Sequence, residues 1–279
     1  MRNPLKDFNL HRQTGMPDWE TTEEDQRNLW QQLAAATHGV VTPANIIDGL
    51  ALAGEIGADS LVVAGHRQIR ESAKTDAYDG LSLGIDMKLA GLFAGAPLSM
   101  ADWLDGQAAE RTQTKSPLGE KVDISGDFIT KAVIRPWSRY AIGELSVTDF
   151  AILGGPKIIN FGAAGVASLK GLELHPSLMA KIAETLRGFA FAAVDATAIA
   201  GTLAINDALK NGRMTLPEIS TLLSDRKNYR KSLDEVMQEE DSRIATLYRT
   251  ARQVRNATMA TAAIAGYGVS GQYIANLTK

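Results

Sequence analysis

Residues 102–127, DWLDGQAAERTQTKSPLGEKVDISGD, carry four aspartates in two closely spaced pairs. Asp102 and Asp105 stand at i and i+3, so on a helix they share a face. Asp123 and Asp127 stand at i and i+4 and share a face of a following helix. Pro117 and Gly119 lie between the pairs and suit a turn that sends the chain back. Two antiparallel helices then bring four carboxylates together. Like charges within a few ångströms repel unless something compensates. Hard divalent cations are the natural compensation, because Mg²⁺, Mn²⁺ and Ca²⁺ prefer carboxylate oxygens. Two such ions a few ångströms apart can clamp a diphosphate and stabilise an in-line displacement. Gly106, and Ala109 one turn after Asp105, leave that face bare for a nucleotide. A single aspartate of this kind reads as a solvent-facing acid at a helix end.

Working outward, the chain is helical on both sides. Residues 20–38 place acids first (Glu20, Glu23, Glu24, Asp25) and then Leu29, Trp30, Leu33 and Ala34, the pattern of an amphipathic helix. Thr42-Pro43 reads as an N-cap followed by a first-turn proline, opening a helix over about 43–66. The pattern predicts further helices over 76–113, broken or bent near Pro97, and from Pro117 onward, kinked by Pro136. Two more cover 148–169, with Gly154, Gly155 and Pro156 inside, and 176–210. Residues 207–255 are dense in charge and poor in glycine. They read as a solvated helical hairpin or an extramembrane insertion, with the run from Asp225 to Arg255 as a solvated face. A last helix is expected over 256–277. Small residues recur at Gly91 and Gly95, at Gly162 and Gly165, and at Ala262, Gly266 and Ser270. They suit close helix packing in a soluble or a membrane bundle. The expected fold is all-α: a bundle of about six long, transmembrane-type helices. Residues 1–40 form a polar segment with the amphipathic helix, and 41–278 form one domain with a charged insertion at about 207–255.

The aspartate stretch resembles the signature of the CDP-alcohol phosphatidyltransferase family, D-x2-D-G-x2-A-R-x8-G-x3-D-x3-D. Asp102, Asp105, Gly106, Ala109, Gly119, Asp123 and Asp127 fall on it in register. One position departs: the family's arginine after Ala109 is Glu110 here, with Arg111 one place on. Thr42-Pro43-Ala44-Asn45-Ile46-Ile47 is similar to the T-P-N start of the family's first transmembrane helix. The resemblance covers roughly residues 40–278. It implies a multi-pass cell-membrane enzyme, similar to the phosphatidylglycerophosphate and phosphatidylinositol-phosphate synthases. By the same resemblance, Asp102, Asp105, Asp123 and Asp127 hold Mg²⁺ or Mn²⁺, two ions in all. Asp127 is also the base that deprotonates the acceptor hydroxyl. Gly106, Ala109 and Gly119 line the nucleotide site. The alkoxide attacks the β-phosphorus of a CDP-linked lipid and CMP leaves. The implied partners are that lipid and a small alcohol, with a homodimer as one form the protein can take.

Lys131 and Arg135 continue the i, i+4 stripe of Asp123 and Asp127, and Arg139 follows one turn later. Cations there suit a second anion, such as the phosphate of a phosphorylated polyol acceptor. The alternative is three cations at a helix end, facing the dipole and water or headgroups.

Composition bounds these readings. The chain has 279 residues, 45% hydrophobic and 22% charged, enough for a core. A net charge of −3 argues against nucleic acid as a partner. The absence of cysteine excludes disulfide scaffolds, zinc–thiolate sites and cysteine nucleophiles. The four histidines have no i, i+4 pair. There is no G-x-S-x-G elbow, Walker lysine loop or dinucleotide fingerprint, and Gly91-x3-Gly95 and Gly154-Gly155 read as packing glycines. Residues 1–24 are polar and do not read as a signal peptide. Mean hydropathy is −0.09, which on its own describes a soluble chain. The first expected span contains Asp48, Glu55 and Asp59, and the second Asp79, Asp86 and Lys88. Each charge at a bilayer centre costs about 2.5–3.5 kcal/mol on insertion scales. Either the polar residues turn into the bundle, or they face outward on a fold moved into water. Hence a second functional reading: a catalytically inactive or solubilised helical bundle that keeps the family fold. A third is a purely structural bundle with no ligand.

Overall fold

The computed structural model describes residues 26–98, 101–114, 125–126, 128–170, 177–238 and 242–277. Among them the chain is entirely helical: ten α-helices and one π-helical segment, with no strand. In chain order these are α1 (Leu29–Ala36), α2 (Pro43–Lys74), α3 (Tyr78–Leu98), α4 (Ala101–Thr112), the π segment (Phe128–Ile134), α5 (Arg135–Ala141), α6 (Val147–Leu169), α7 (Leu178–Lys210), α8 (Leu216–Ser224), α9 (Tyr229–Gln238) and α10 (Arg243–Leu277). Five exceed 20 residues, where about six were expected.

Local chemistry explains the boundaries. Asn28 caps α1: its side chain accepts from Gln31 N, and the Gln31 side chain accepts from Asn28 N, both at 3.0 Å. The acids expected at the head of this helix lie outside the described residues. Thr42 Oγ1 accepts from Asn45 N at 3.1 Å, and Pro43 opens α2 as its sequence predicts. The helix continues to Lys74, about two turns past the expected end. The turn to α3 passes through Asp76 at φ 57°, and α3 keeps Pro97 within its last turn. The stretch expected as helix over 76–113, broken or bent near Pro97, contains α3 and α4.

The chain forms two compact units, residues 1–56 with 94–130 and residues 57–93 with 131–279. In the first, α1 is tied to the end of α4: Asn28 Nδ2 donates to Thr112 O at 3.2 Å and Gln31 Nε2 to Gln113 O at 3.4 Å.

In the second unit, α2 and α3 run back to back with their backbones nearly touching. A Cβ on Gly91 would sit 2.4 Å from Ala58 O, one on Gly65 2.5 Å from Lys88 N, and one on Gly84 2.7 Å from Ile69 N. Only hydrogen fits at these three positions. On α10, Ala262, Gly266 and Ser270 are buried; a Cβ on Gly266 would meet Pro156 Cγ of α6 at 2.8 Å, and Ser270 Oγ donates to Asn160 Oδ1 at 2.8 Å. Gly162 and Gly165, of the same small-residue pattern, face open space.

Residues 207–255 differ from the expected solvated hairpin. Their apolar side chains close the largest core: Leu216, Ile219, Leu222 and Leu223 of α8, and Tyr229, Leu233 and Met237 of α9, pack with Ile69, Leu81 and Ile85. Each such aliphatic side chain contributes about 1.5–3 kcal/mol by leaving water. Most of the described charged side chains of this region face outward, while Asp234 and Arg255 are buried. The last helix begins at Arg243, so the end of the charged region and the expected final helix are one 35-residue element.

Candidate functional site

The first half of the acidic set stands on α4. Asp102, Asp105, Gly106 and Ala109 lie on this one unbroken helix, so the i, i+3 relation of the two aspartates places them on one side of it. Asp105 and Ala109 are buried, and Glu110 is exposed. Asp123, Asp127 and Gly119 lie outside the described residues, as does the side chain of Asp102. Among the described residues no three acids or histidines gather as a metal site. The one carboxylate of the set whose side chain is described, Asp105, is a donor of the type that hard divalent ions prefer.

The basic stripe is placed differently from its expectation. The chain passes through the π segment before α5, and its i→i+5 bonding changes the register at which side chains share a face. A carbonyl in this segment, Lys131 O, accepts from Arg187 Nη1 at 3.1 Å. The Lys131 side chain is half-buried. Arg135 and Arg139 turn inward. Arg135 Nη2 lies 2.5 Å from Asp195 Oδ2, and its guanidinium covers the Phe191 ring at 5.1 Å. Arg139, 1% exposed, places Nε 2.9 Å from Asp195 Oδ1 and Nη1 3.2 Å from Asp59 Oδ1. Its Nε also lies 3.7 Å from Glu144 Oε2, and Lys88 Nζ lies 2.7 Å from Glu144 Oε1. Three cations (Lys88, Arg135, Arg139) and three carboxylates (Asp59, Glu144, Asp195) thus form one buried, charge-balanced network. Neither expectation for Arg135 and Arg139 describes this: they face neither water nor a vacant anion site. The reason is burial, since a guanidinium taken out of water must find carboxylates.

A second ionic group adjoins the first. Asp149 accepts from Ser146 N and Oγ at 2.9 and 2.8 Å and pairs with Arg255 at 2.8 Å and with Arg230. Asp234 accepts from Tyr248 Oη at 2.9 Å and pairs with Arg252 at 2.6 Å. Burial first, and then the nearby Glu144, push the Tyr229 phenol far above its ordinary value, so it stays protonated. Glu144, Thr197, Tyr229, Arg230, Tyr248 and Arg255 line a cavity of about 20 Å³. That is room for one water and too little for a nucleotide.

Comparison of the chain with protein-family models, with curated proteins and with solved structures finds no match. The chemistry of the site therefore rests on its own residues.

Those residues are arranged with a distinct polarity. Glu55, Asp59 and Lys88, expected to burden the first two spans, are buried, whereas Asp79 and Asp86 face outward. Leu61, Leu83, Phe93, Ile158, Phe161 and Ile264 are exposed on the outer faces, which also carry Arg67, Glu71, Lys74 and Lys181. Among the described residues two helical stretches, Val147–Ala167 and Leu178–Lys210, are long and apolar enough to cross a membrane. The ionic network escaped sequence reading because its partners come from four separate helices and the link after α5. The available signal was that Asp59, Lys88 and Asp195 stand inside long helical stretches.

Proposed function

We propose that the protein is a membrane enzyme that transfers a substituted phosphate group, such as phosphatidyl, from a CDP-linked lipid to an alcohol, releasing CMP. The observation that carries this reading is the in-register acidic spacing, whose first pair, Asp102 and Asp105, stands on one helix with Gly106 and Ala109. Asp102, Asp105, Asp123 and Asp127 would hold Mg²⁺ or Mn²⁺, which supplies charge neutralisation to the diphosphate and the departing CMP. Asp127 takes the proton from the acceptor hydroxyl. The acceptor oxygen then bonds to the β-phosphorus as the bond between that phosphorus and the CMP oxygen breaks. Gly106, Ala109 and Gly119 keep side-chain bulk away from the nucleotide. Arg135 and Arg139 already neutralise Asp59 and Asp195. A second anion site on α5 has lost its support, so the acceptor is proposed only as an alcohol. The membrane part of this reading is supported by α6 and α7, whose stretches Val147–Ala167 and Leu178–Lys210 are long and apolar enough to cross a bilayer.

A second reading, a helical protein that keeps the fold without the reaction, is favoured by one residue. Glu110 puts an acid where the family signature has arginine. CMP release from CDP-diacylglycerol in detergent micelles with Mg²⁺ or Mn²⁺ separates the two. The enzyme reading expects release that Asp105→Asn abolishes, together with the rise in thermal stability produced by the metal. A metal-dependent rise in Tm without CMP release supports the second reading. Absence of both effects overturns both and leaves a structural bundle.

A further inference from the structure

We infer that the corner between α5 and α6 sits in the headgroup layer of a lipid bilayer, anchored by Trp137, Tyr140 and Arg226. The inference rests on the membrane reading above and adds a depth and a contact surface to it. The π segment and α5 run antiparallel beside α6. A Cβ on Gly154 would stand 2.9 Å from Ala132 O, and the Tyr140 and Phe150 rings meet at 5.9 Å between centroids. Trp137 therefore lies level with the first turns of α6.

From Phe150 to Leu169, α6 shows no exposed Asp, Glu, Lys or Arg; its one charged residue, Lys157, is largely buried and pairs with Glu184 at 3.1 Å. These 20 residues span about 30 Å at 1.5 Å per residue, the thickness of a hydrocarbon core. Residues 256–277 of α10, packed beside α6, are likewise free of charge. One edge of this uncharged band falls at the start of α6.

The residues at that edge suit the lipid interface. Trp137 is 59% exposed, with its ring 5.8 Å from Tyr140. The Arg226 guanidinium lies 3.7 Å from the centroid of the Tyr140 ring in the same aromatic cluster. Lys227 beside it is exposed. Tryptophan and tyrosine rings settle at headgroup level, where one end is apolar and the other wet. Arginine and lysine just outside the hydrocarbon reach lipid phosphates. An exposed tryptophan, a stacked arginine and a bilayer-length apolar face thus meet at one corner.

The chain contains no cysteine, so Trp137→Cys and Phe161→Cys each give the full-length protein one labelling site. Each variant carries a nitroxide and is reconstituted in phosphatidylcholine–phosphatidylglycerol vesicles; its exposure to oxygen and to a water-soluble nickel chelate gives its depth. The expected result is a label at residue 137 at the level of the phosphates, and one at residue 161 about 15 Å deeper. A label at 137 as deep as that at 161, or one fully open to the chelate, overturns the inference. So does dipolar broadening at 137, which would mean that a second copy covers the corner. Circular dichroism of each variant checks the helical fold, and Tyr140→Cys repeats the depth measurement if Trp137→Cys does not fold. Failure of the membrane reading itself looks different: both labels are then open to water, and the protein stays monodisperse without detergent or lipid.

Discussion

Two regions of the second unit differ in how much charge they bury beside their apolar cores. Where α2, α3, α5, α6, α7 and α10 pack together, the interior holds Asp59, Lys88, Arg135, Arg139, Glu144 and Asp195, and the outside shows Leu61, Phe93, Phe161 and Ile264. Around α8 and α9 the interior holds Ile219, Leu223, Leu233 and Met237, and the outside shows Arg226, Lys227, Lys231 and Glu235. Each arrangement is stable in a different solvent. Apolar outer faces cost nothing in hydrocarbon, and there charges must pair inside. Charged outer faces suit water, which drives leucine and methionine inward. A mean hydropathy of −0.09 averages the two and describes neither.

The contrast breaks most sharply at Arg139. Arg139→Met removes the cation shared by Asp59, Asp195 and Glu144, leaving buried acids short of a partner. The expected loss is about 3–5 kcal/mol of unfolding free energy, measured by denaturant titration. A loss under 1 kcal/mol would mean that water reaches the network and that the interior is not sealed.

A smaller effect tests the outside. Ile264, 78% exposed on α10, lies inside the uncharged stretch. Ile264→Lys should lower membrane insertion by about 2.5–3.5 kcal/mol if hydrocarbon surrounds this face. The matching change on α9, Lys231→Leu, should leave stability within about 0.5 kcal/mol. Equal, small effects at both positions would show that both regions face water.

The smallest effect sharpens the watery side. Glu218 Oε2 accepts from Thr215 N at 2.7 Å and from Thr215 Oγ1 at 2.9 Å, which closes the start of α8. The backbone hydrogen bond first, then the hydroxyl, hold its carboxyl below the usual carboxylate range. A carboxylate lowered on folding stabilises above its unfolded value and loses that contribution as the pH falls through the lowered one. The difference in stability between wild type and Glu218→Ala should therefore be constant near neutral pH and shrink in acid. A gap that widens in acid would reverse the assignment.

Much of the fold was legible because helix starts are local. Thr42-Pro43 marks the first residue of α2, and the apolar runs over 148–169 and 176–210 become α6 and α7 within one or two residues. The union of a charged half and an apolar half in α10 was not legible, since composition shifts abruptly near Arg255 while the backbone does not. Nor was the π segment, whose residues FITKAVI would suit an α-helix equally well. Of the candidate site, the pairing of Asp102 and Asp105 on one helix follows from spacing alone. The fate of Arg135 and Arg139 does not: their partners Asp59 and Asp195 are fixed by tertiary packing, which leaves no periodic trace.

The close α2–α3 pair has a consequence for synthesis. Joined by a three-residue turn and zipped at Gly65, Gly84 and Gly91, it is complete once residue 98 has left the ribosome. Asp59 and Lys88 are then in place, but Arg139 follows Asp59 by 80 residues and Glu144 follows Lys88 by 56. At roughly 5–20 residues per second, the acid and the lysine wait on the order of ten seconds for their counterions. During that interval the hairpin carries two unmatched charges on the surface that will become its inner side. Arrival of α5 is then the event that commits this half of the molecule to its final assembly.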